Sequence, residues 1–184
     1  MKKALVIGGL AVVLCLVLAP YSQAFDGQRQ GFILGGGLGV GLTTYTYSAS
    51  GASSDRFNEV GFMTDFKIGY APNEQVEIYY SNKLSWFDEG GAVLAHGVGS
   101  AAVNYYLQPQ MPWYISGGVG LGSVTAPFEE NSEYWVGFGF FGGVGYEFSR
   151  HFAVEFDMML GFPGESGITF NGINPRVVIV GTAF

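Results

Sequence analysis

Little in this sequence is equipped for covalent chemistry. The 184 residues contain two histidines and one cysteine. His96 and Ser100 would share one face of a strand, but four residues separate them by roughly 13 Å. That is too far for a base hydrogen-bonded to its nucleophile. His151 falls in a short turn, and Cys15 lies within the apolar amino-terminal run. The acidic pairs Asp88-Glu89 and Glu129-Glu130 read as loop tips, so neither a metal nor a cofactor is expected. Gly35-Gly36-Gly37-Leu38-Gly39-Val40-Gly41 lacks the GKS/T ending and the following helix of a phosphate loop. What remains is a set of charges spaced among apolar residues: Asp65, Lys67, Glu77, Lys83, Glu155 and Asp157. Their chemistry is ion pairing. Lys67 is expected opposite Tyr79 and diagonal to Glu77, and Asp65 diagonal to Lys83, within about 7–8 Å.

Strands must position these charges. Segments of about ten residues alternate in hydrophobicity, the pattern of a transmembrane β-barrel. Eight are expected: Gly31 to Tyr47, Glu59 to Tyr70, Val76 to Trp86, Val93 to Leu107, Trp113 to Val124, Tyr134 to Phe148, Phe152 to Gly161 and Pro175 to Phe184. In the second, Val60, Phe62, Phe66, Ile68 and Tyr70 share a face, and Glu59, Asp65 and Lys67 the other. Charge facing lipid is expensive, so the charged face is assigned to the lumen. In the last strand, Val178, Val180, Thr182 and Phe184 are expected to face lipid. The same parity puts Arg176 outward near the rim, where a long side chain snorkels cheaply to a lipid phosphate or a loop carboxylate.

The connections alternate in expected length. Residues 71–74, 108–112 and 149–151 read as tight turns, and 48–58, 87–92, 125–133 and 162–174 as mostly longer loops. In such barrels short turns face the periplasm, so both chain ends and the leader Phe25 to Gln30 are expected there. Aromatics near the strand ends (Tyr70, Trp86, Tyr105, Trp113, Tyr146, Phe152) form the expected interfacial girdles.

Residues 1–24 read as a secretory signal peptide. Lys2 and Lys3 precede an apolar stretch from Ala4 to Ala19, and Ser22-Gln23-Ala24 suits cleavage after Ala24. The domain is then 25–184, with no cysteine. Of the eight basic residues two lie in this signal peptide, which leaves six against fifteen acidic ones. Such a balance repels nucleic acid. Charged residues make up 12% and aromatics 16%, with 30 glycines, about half the charge of a soluble domain.

On these strands, the loop asymmetry and the terminal Val178-x-Val180-x-Thr182-x-Phe184 pattern, the chain resembles the small eight-stranded outer-membrane β-barrels of Gram-negative bacteria, the group of the OmpA barrel, OmpX and the opacity proteins. The resemblance covers 31–184. It implies an all-β, eight-stranded antiparallel up-and-down barrel in the outer membrane, contacting outer-membrane lipids and lipopolysaccharide. It also implies that the terminal pattern is read by the barrel-assembly machinery, with periplasmic chaperones during biogenesis. A monomer is expected. Lipid A deacylases of similar build carry His-x-Ser, and Val98 stands where that serine would be. The function expected is a structural or surface-interaction barrel with a plugged polar lumen and no catalysis. The alternatives are a narrow channel or a binder of apolar ligands, and then an enzyme modifying lipid A.

Overall fold

The structure is a computed structural model and describes residues 29–149 and 151–184. The signal peptide 1–24, its cleavage after Ala24 and most of the leader lie outside the described residues. Nine strands follow in order: β1 Gly31–Ala49, β2 Ala52–Ser53, β3 Phe57–Asn73, β4 Val76–Glu89, β5 Ala92–Tyr106, β6 Trp113–Thr125, β7 Tyr134–Ser149, β8 Phe152–Glu165 and β9 Ile168–Ala183. β2 only extends the tip of the β1–β3 hairpin. The other eight are each antiparallel to the next, and β9 returns to β1 from Leu34↔Ala183 to Ala49↔Ile168. The sheet is therefore a closed eight-stranded barrel. Closure leaves no edge, which lipid requires because an unpaired backbone group there costs several kcal/mol.

Alternation sets the two faces. Leu38, Val40, Val60, Phe62, Ile78, Val119, Leu121, Phe138 and Phe156 are exposed on the outer wall. Ile33, Met63, Tyr79, Val98, Phe141 and Met159 are buried inside. Tyr70, Tyr105, Trp113 and Phe152 are exposed, and Trp86 and Tyr146 are half-buried. The Trp113 and Tyr146 rings meet at 4.7 Å across β6 and β7.

Three features differ from the sequence expectation. First, 162–174 is not a loop. β8 and β9 continue to a two-residue turn, Ser166-Gly167, and both turn residues have positive φ (51° and 84°). That is the hairpin geometry whose twist matches the strands. Pro163 and Pro175 obscured it, because proline lacks a ladder N–H. The β1–β9 ladder indeed lapses opposite Pro175 and resumes at Thr44↔Ile173. The 87–92 segment likewise turns tightly at Gly90-Gly91, also at positive φ.

Second, the parity of β9 is the reverse of that expected. Val178 and Val180 are buried at 0% and 3% exposure, Arg176 and Thr182 are buried, and Val177 and Ile179 face outward. Phe184 follows the inward row and packs on the core at the turn end. Val177–Val180 is apolar on both faces, so alternation cannot choose between them. Glycines on β1 choose. A Cβ on Gly37 would lie 2.7 Å from Val178 Cγ1 and 3.0 Å from Val180 Cγ2, so the missing side chains of β1 are the space these valines fill.

Third, the β3–β4 register is offset. Asn73 Oδ1 accepts from the Gln75 and Val76 amides at 2.9 and 3.0 Å, which tightens the turn. A bulge follows between Tyr70 and Asn73. Lys67 therefore faces Ser81 rather than Tyr79, and Asp65 faces Lys83 directly.

Candidate functional site

The inward polar side chains stack in layers along the barrel axis. At the end where the short turns lie, Arg29 folds into the mouth just before β1 begins. Its Nη2 donates to Glu147 Oε2 at 2.6 Å and to the Met111 carbonyl at 3.0 Å, and its Nη1 donates to the Pro109 carbonyl at 2.8 Å. The guanidinium carbon stands 3.7 Å from the Tyr106 ring centre. The Tyr106 hydroxyl lies 2.8 Å from Glu147 Oε1 and 3.1 Å from Glu77 Oε1. Glu77 also accepts from Asn104 Nδ2 at 2.8 Å and from Lys67 Nζ at 3.4 Å. Asn104 in turn accepts from the Tyr79 hydroxyl at 2.7 Å.

The middle layer is the densest. Lys83 Nζ donates to Asp65 at 2.7 Å, Asp157 at 3.0 Å and Glu155 at 3.1 Å. Tyr114 donates to the other Glu155 oxygen at 2.8 Å. Arg176, on β9 directly opposite Asp157, donates through Nε to Asp157 Oδ1 at 2.7 Å and through Nη2 to Asp65 Oδ2 at 2.6 Å. The expected contact of Arg176 with a lipid phosphate is thus corrected: its guanidinium is buried against two lumen carboxylates. Ligand oxygens of Asp65, Glu155 and Asp157 lie within 4.8 Å of one another, a spacing that suits a cation. The Lys83 ammonium already stands at their focus. Burial makes such a cluster depend on complete pairing, because a carboxylate stripped of its partner inside the barrel is costly.

Next comes a neutral polar layer. His96 Nδ1 lies 2.8 Å from Asn174 Oδ1, Asn174 Nδ2 donates to Thr43 Oγ1 at 2.6 Å, and Thr43 Oγ1 is 2.6 Å from Ser85 Oγ. All four residues are fully buried. The other edge of His96 is turned to Gly161 and Gly172, facing partners on β8 and β9. His96 therefore presents no nitrogen to Ser100. Beyond this layer, Tyr45, Phe87, Val124 and Phe170 pack as an apolar cluster at the loop end, with the Tyr45 and Phe170 rings stacked at 4.9 Å.

All six charges singled out from the sequence point into this lumen, and all six meet within two adjoining layers. The sequence reading missed Arg29, Glu147, Arg176, Asn174 and Thr43. Glu147 was readable, since it lies between outward Tyr146 and Phe148. Arg29 was not, because no periodicity precedes β1.

No protein-family model and no curated protein matches the sequence. Solved structures do match its fold. The chain is similar to the attachment invasion locus protein Ail of Yersinia pestis, with 11% identity, a TM-score of 0.52, and coverage of 83% of this chain and 99% of that one. It is also similar to Neisserial surface protein A, with 14% identity, a TM-score of 0.54, and coverage of 82% and 96%. The fold is that of the small eight-stranded outer-membrane β-barrels.

Proposed function

We propose that this chain is an integral outer-membrane barrel with a structural or surface-interaction role, a plugged lumen and no catalytic turnover. The observation that carries the reading is the middle layer, where one ammonium and one guanidinium engage three carboxylates across the barrel interior. An eight-stranded barrel has an interior that side chains can fill. The abundant inward glycines do not open a path here. A Cβ on Gly118 would meet Phe141 at 2.5 Å and Ser100 at 2.8 Å, and one on Gly139 would meet Val98 at 2.8 Å. Neighbouring groups already take that space. Arg29 closes the lumen below and the aromatic cluster closes it above.

In this reading the turn end and both ends of the mature chain face the periplasm, after export by the cleaved signal peptide. The outer rows contact outer-membrane lipids and lipopolysaccharide, and the barrel is a monomer. Periplasmic chaperones and the barrel-assembly machinery deliver it. They read Val178, Val180, Thr182 and Phe184 while β9 is unpaired and both of its faces are free. The orientation of His96, away from Ser100, supports the absence of turnover.

Planar-bilayer recording tests the plug: the refolded protein is expected to give no steady conductance steps, and regular openings would replace this reading with a narrow channel. Mass analysis of lipid A from cells with and without the protein tests turnover. Identical spectra are expected, and a lost or added acyl chain would establish an enzyme.

A further inference from the structure

A separate cavity of about 240 Å³ opens at the loop end, outside the polar layers, lined by Tyr47, Leu94, Val124, Ser132, Glu133 and Trp135 among others. Its size admits only a small ligand. Two aromatic rings form a corner: Tyr47 and Trp135 stand 6.3 Å apart at 80°. Each ring is held by a carboxylate. Trp135 Nε1 donates to Glu133 Oε2 at 2.8 Å, and the Tyr47 hydroxyl donates to Glu89 Oε2 at 3.1 Å. These bonds tether the rings at their polar edges and set negative charge at the rim of the corner. Ser132 accepts from the Ala126 amide at 2.9 Å, which fixes the loop that carries Glu133. Leu94 and Val124 supply an apolar floor.

Aromatic faces at right angles, an apolar floor and flanking carboxylates are the elements that recognise an organic cation with its charge spread over methyl groups. We propose that this cavity binds a small quaternary-ammonium cation. Asp88, Glu89, Glu129, Glu130 and Glu165 also ring this end, and among the described residues Arg56 is its one base. That field concentrates cations and disfavours a ligand carrying its own phosphate. A free cation is therefore preferred to a phosphocholine headgroup. The binding is independent of whether the lumen conducts.

The test uses full-length mature protein in a non-ionic detergent, with Trp86→Phe and Trp113→Phe so that emission reports Trp135. Choline and tetramethylammonium are expected to give a saturable change. The neutral isostere 3,3-dimethylbutan-1-ol should bind about tenfold more weakly, as loss of the cation–aromatic attraction implies. Phosphocholine should also be weaker than choline. Glu133→Gln, at an exposed position, should weaken choline binding several-fold while heat-modifiable gel mobility shows an intact barrel. In calorimetry, Trp135→Phe should retain part of the affinity and Trp135→Leu should lose it. Equal binding of the isostere would make the cavity a neutral apolar pocket and overturn the proposal. A response matched by sodium chloride, or one that never saturates, would overturn it as well. Tighter binding of phosphocholine would overturn the preference for a free cation.

Discussion

Asp157 on β8 and Arg176 on β9 face each other in register, and the Arg176 Nε–H donates to Asp157 Oδ1 at 2.7 Å inside the barrel. Arg176 also reaches Asp65 on β3, a strand that β9 does not pair with. The guanidinium thus ties the strand next to the closing seam to the far side of β1. Replacing it with an isosteric apolar group leaves Asp157 and Asp65 under-paired. Arg176→Met is expected to cost about 3 kcal/mol or more of folding stability, read as a lower urea midpoint of the heat-modifiable band. The double variant Arg176→Met/Asp157→Leu should recover part of that loss. Parental stability in the single variant would refute the role assigned to the pair.

The seam between β1 and β9 rests on absent side chains. A Cβ on Gly39 would stand 2.1 Å from the Val177 carbonyl oxygen and 2.7 Å from Val178 Cα, both backbone atoms that cannot swing away. Gly36, which points outward, would meet only the Asp65 carbonyl oxygen at 3.4 Å. Gly39→Ala is expected to destabilise by about 1–3 kcal/mol through overpacking, and Gly36→Ala to have little effect. Equal midpoints in urea titration would contradict this account of closure.

His96 fits because two strands withdraw from it. A Cβ on Gly161 would lie 2.4 Å from His96 Nε2, and one on Gly172 would lie 2.5 Å from Cε1. Gly161→Ala should therefore destabilise the parent more than it destabilises His96→Ala, where the imidazole is gone. A double-mutant cycle is expected to give a coupling of about 1 kcal/mol. Strict additivity would show that the two positions do not share this space.

The Ser166-Gly167 turn sets the register of the last hairpin. Gly167 adopts φ = 84° with open space around its Cα, so a side chain there is strained by backbone conformation rather than by collision. Gly167→Val is expected to cost about 1–2 kcal/mol and to slow refolding into lipid vesicles. Gly167→Asn should be milder, since asparagine tolerates this region. Indistinguishable refolding of all three forms would count against a register-setting turn.

Much of the fold is legible in the sequence. Where charges interrupt an apolar row, as Asp65 and Lys67 do among Phe62, Phe66 and Ile68, the cost of charge in lipid fixes which face points inward, and every neighbouring residue follows. Where both faces are apolar, as in Val177–Val180, that signal vanishes, and parity passed to the glycines across the seam. Where prolines interrupt the pattern, as Pro163 and Pro175 do, two strands resembled a loop although Ser166-Gly167 carried the turn.

The sequence by itself determined a closed wall with greasy and polar faces, because alternation with a period of two is a local property of the chain. Only the tertiary structure decided which charges meet beyond the neighbouring-strand pairs Lys67–Glu77 and Asp65–Lys83. Asp65, Lys83, Glu155, Asp157 and Arg176 come from four strands separated by as many as 111 residues, and their partnership depends on registers set by the shifts in the β3–β4 and β7–β8 pairings and by two-residue turns. A one-residue slip in any of them would turn a buried pair toward lipid. The same is true of Tyr47, Glu133 and Trp135, which become one cavity only when the barrel curves their hairpin tips together.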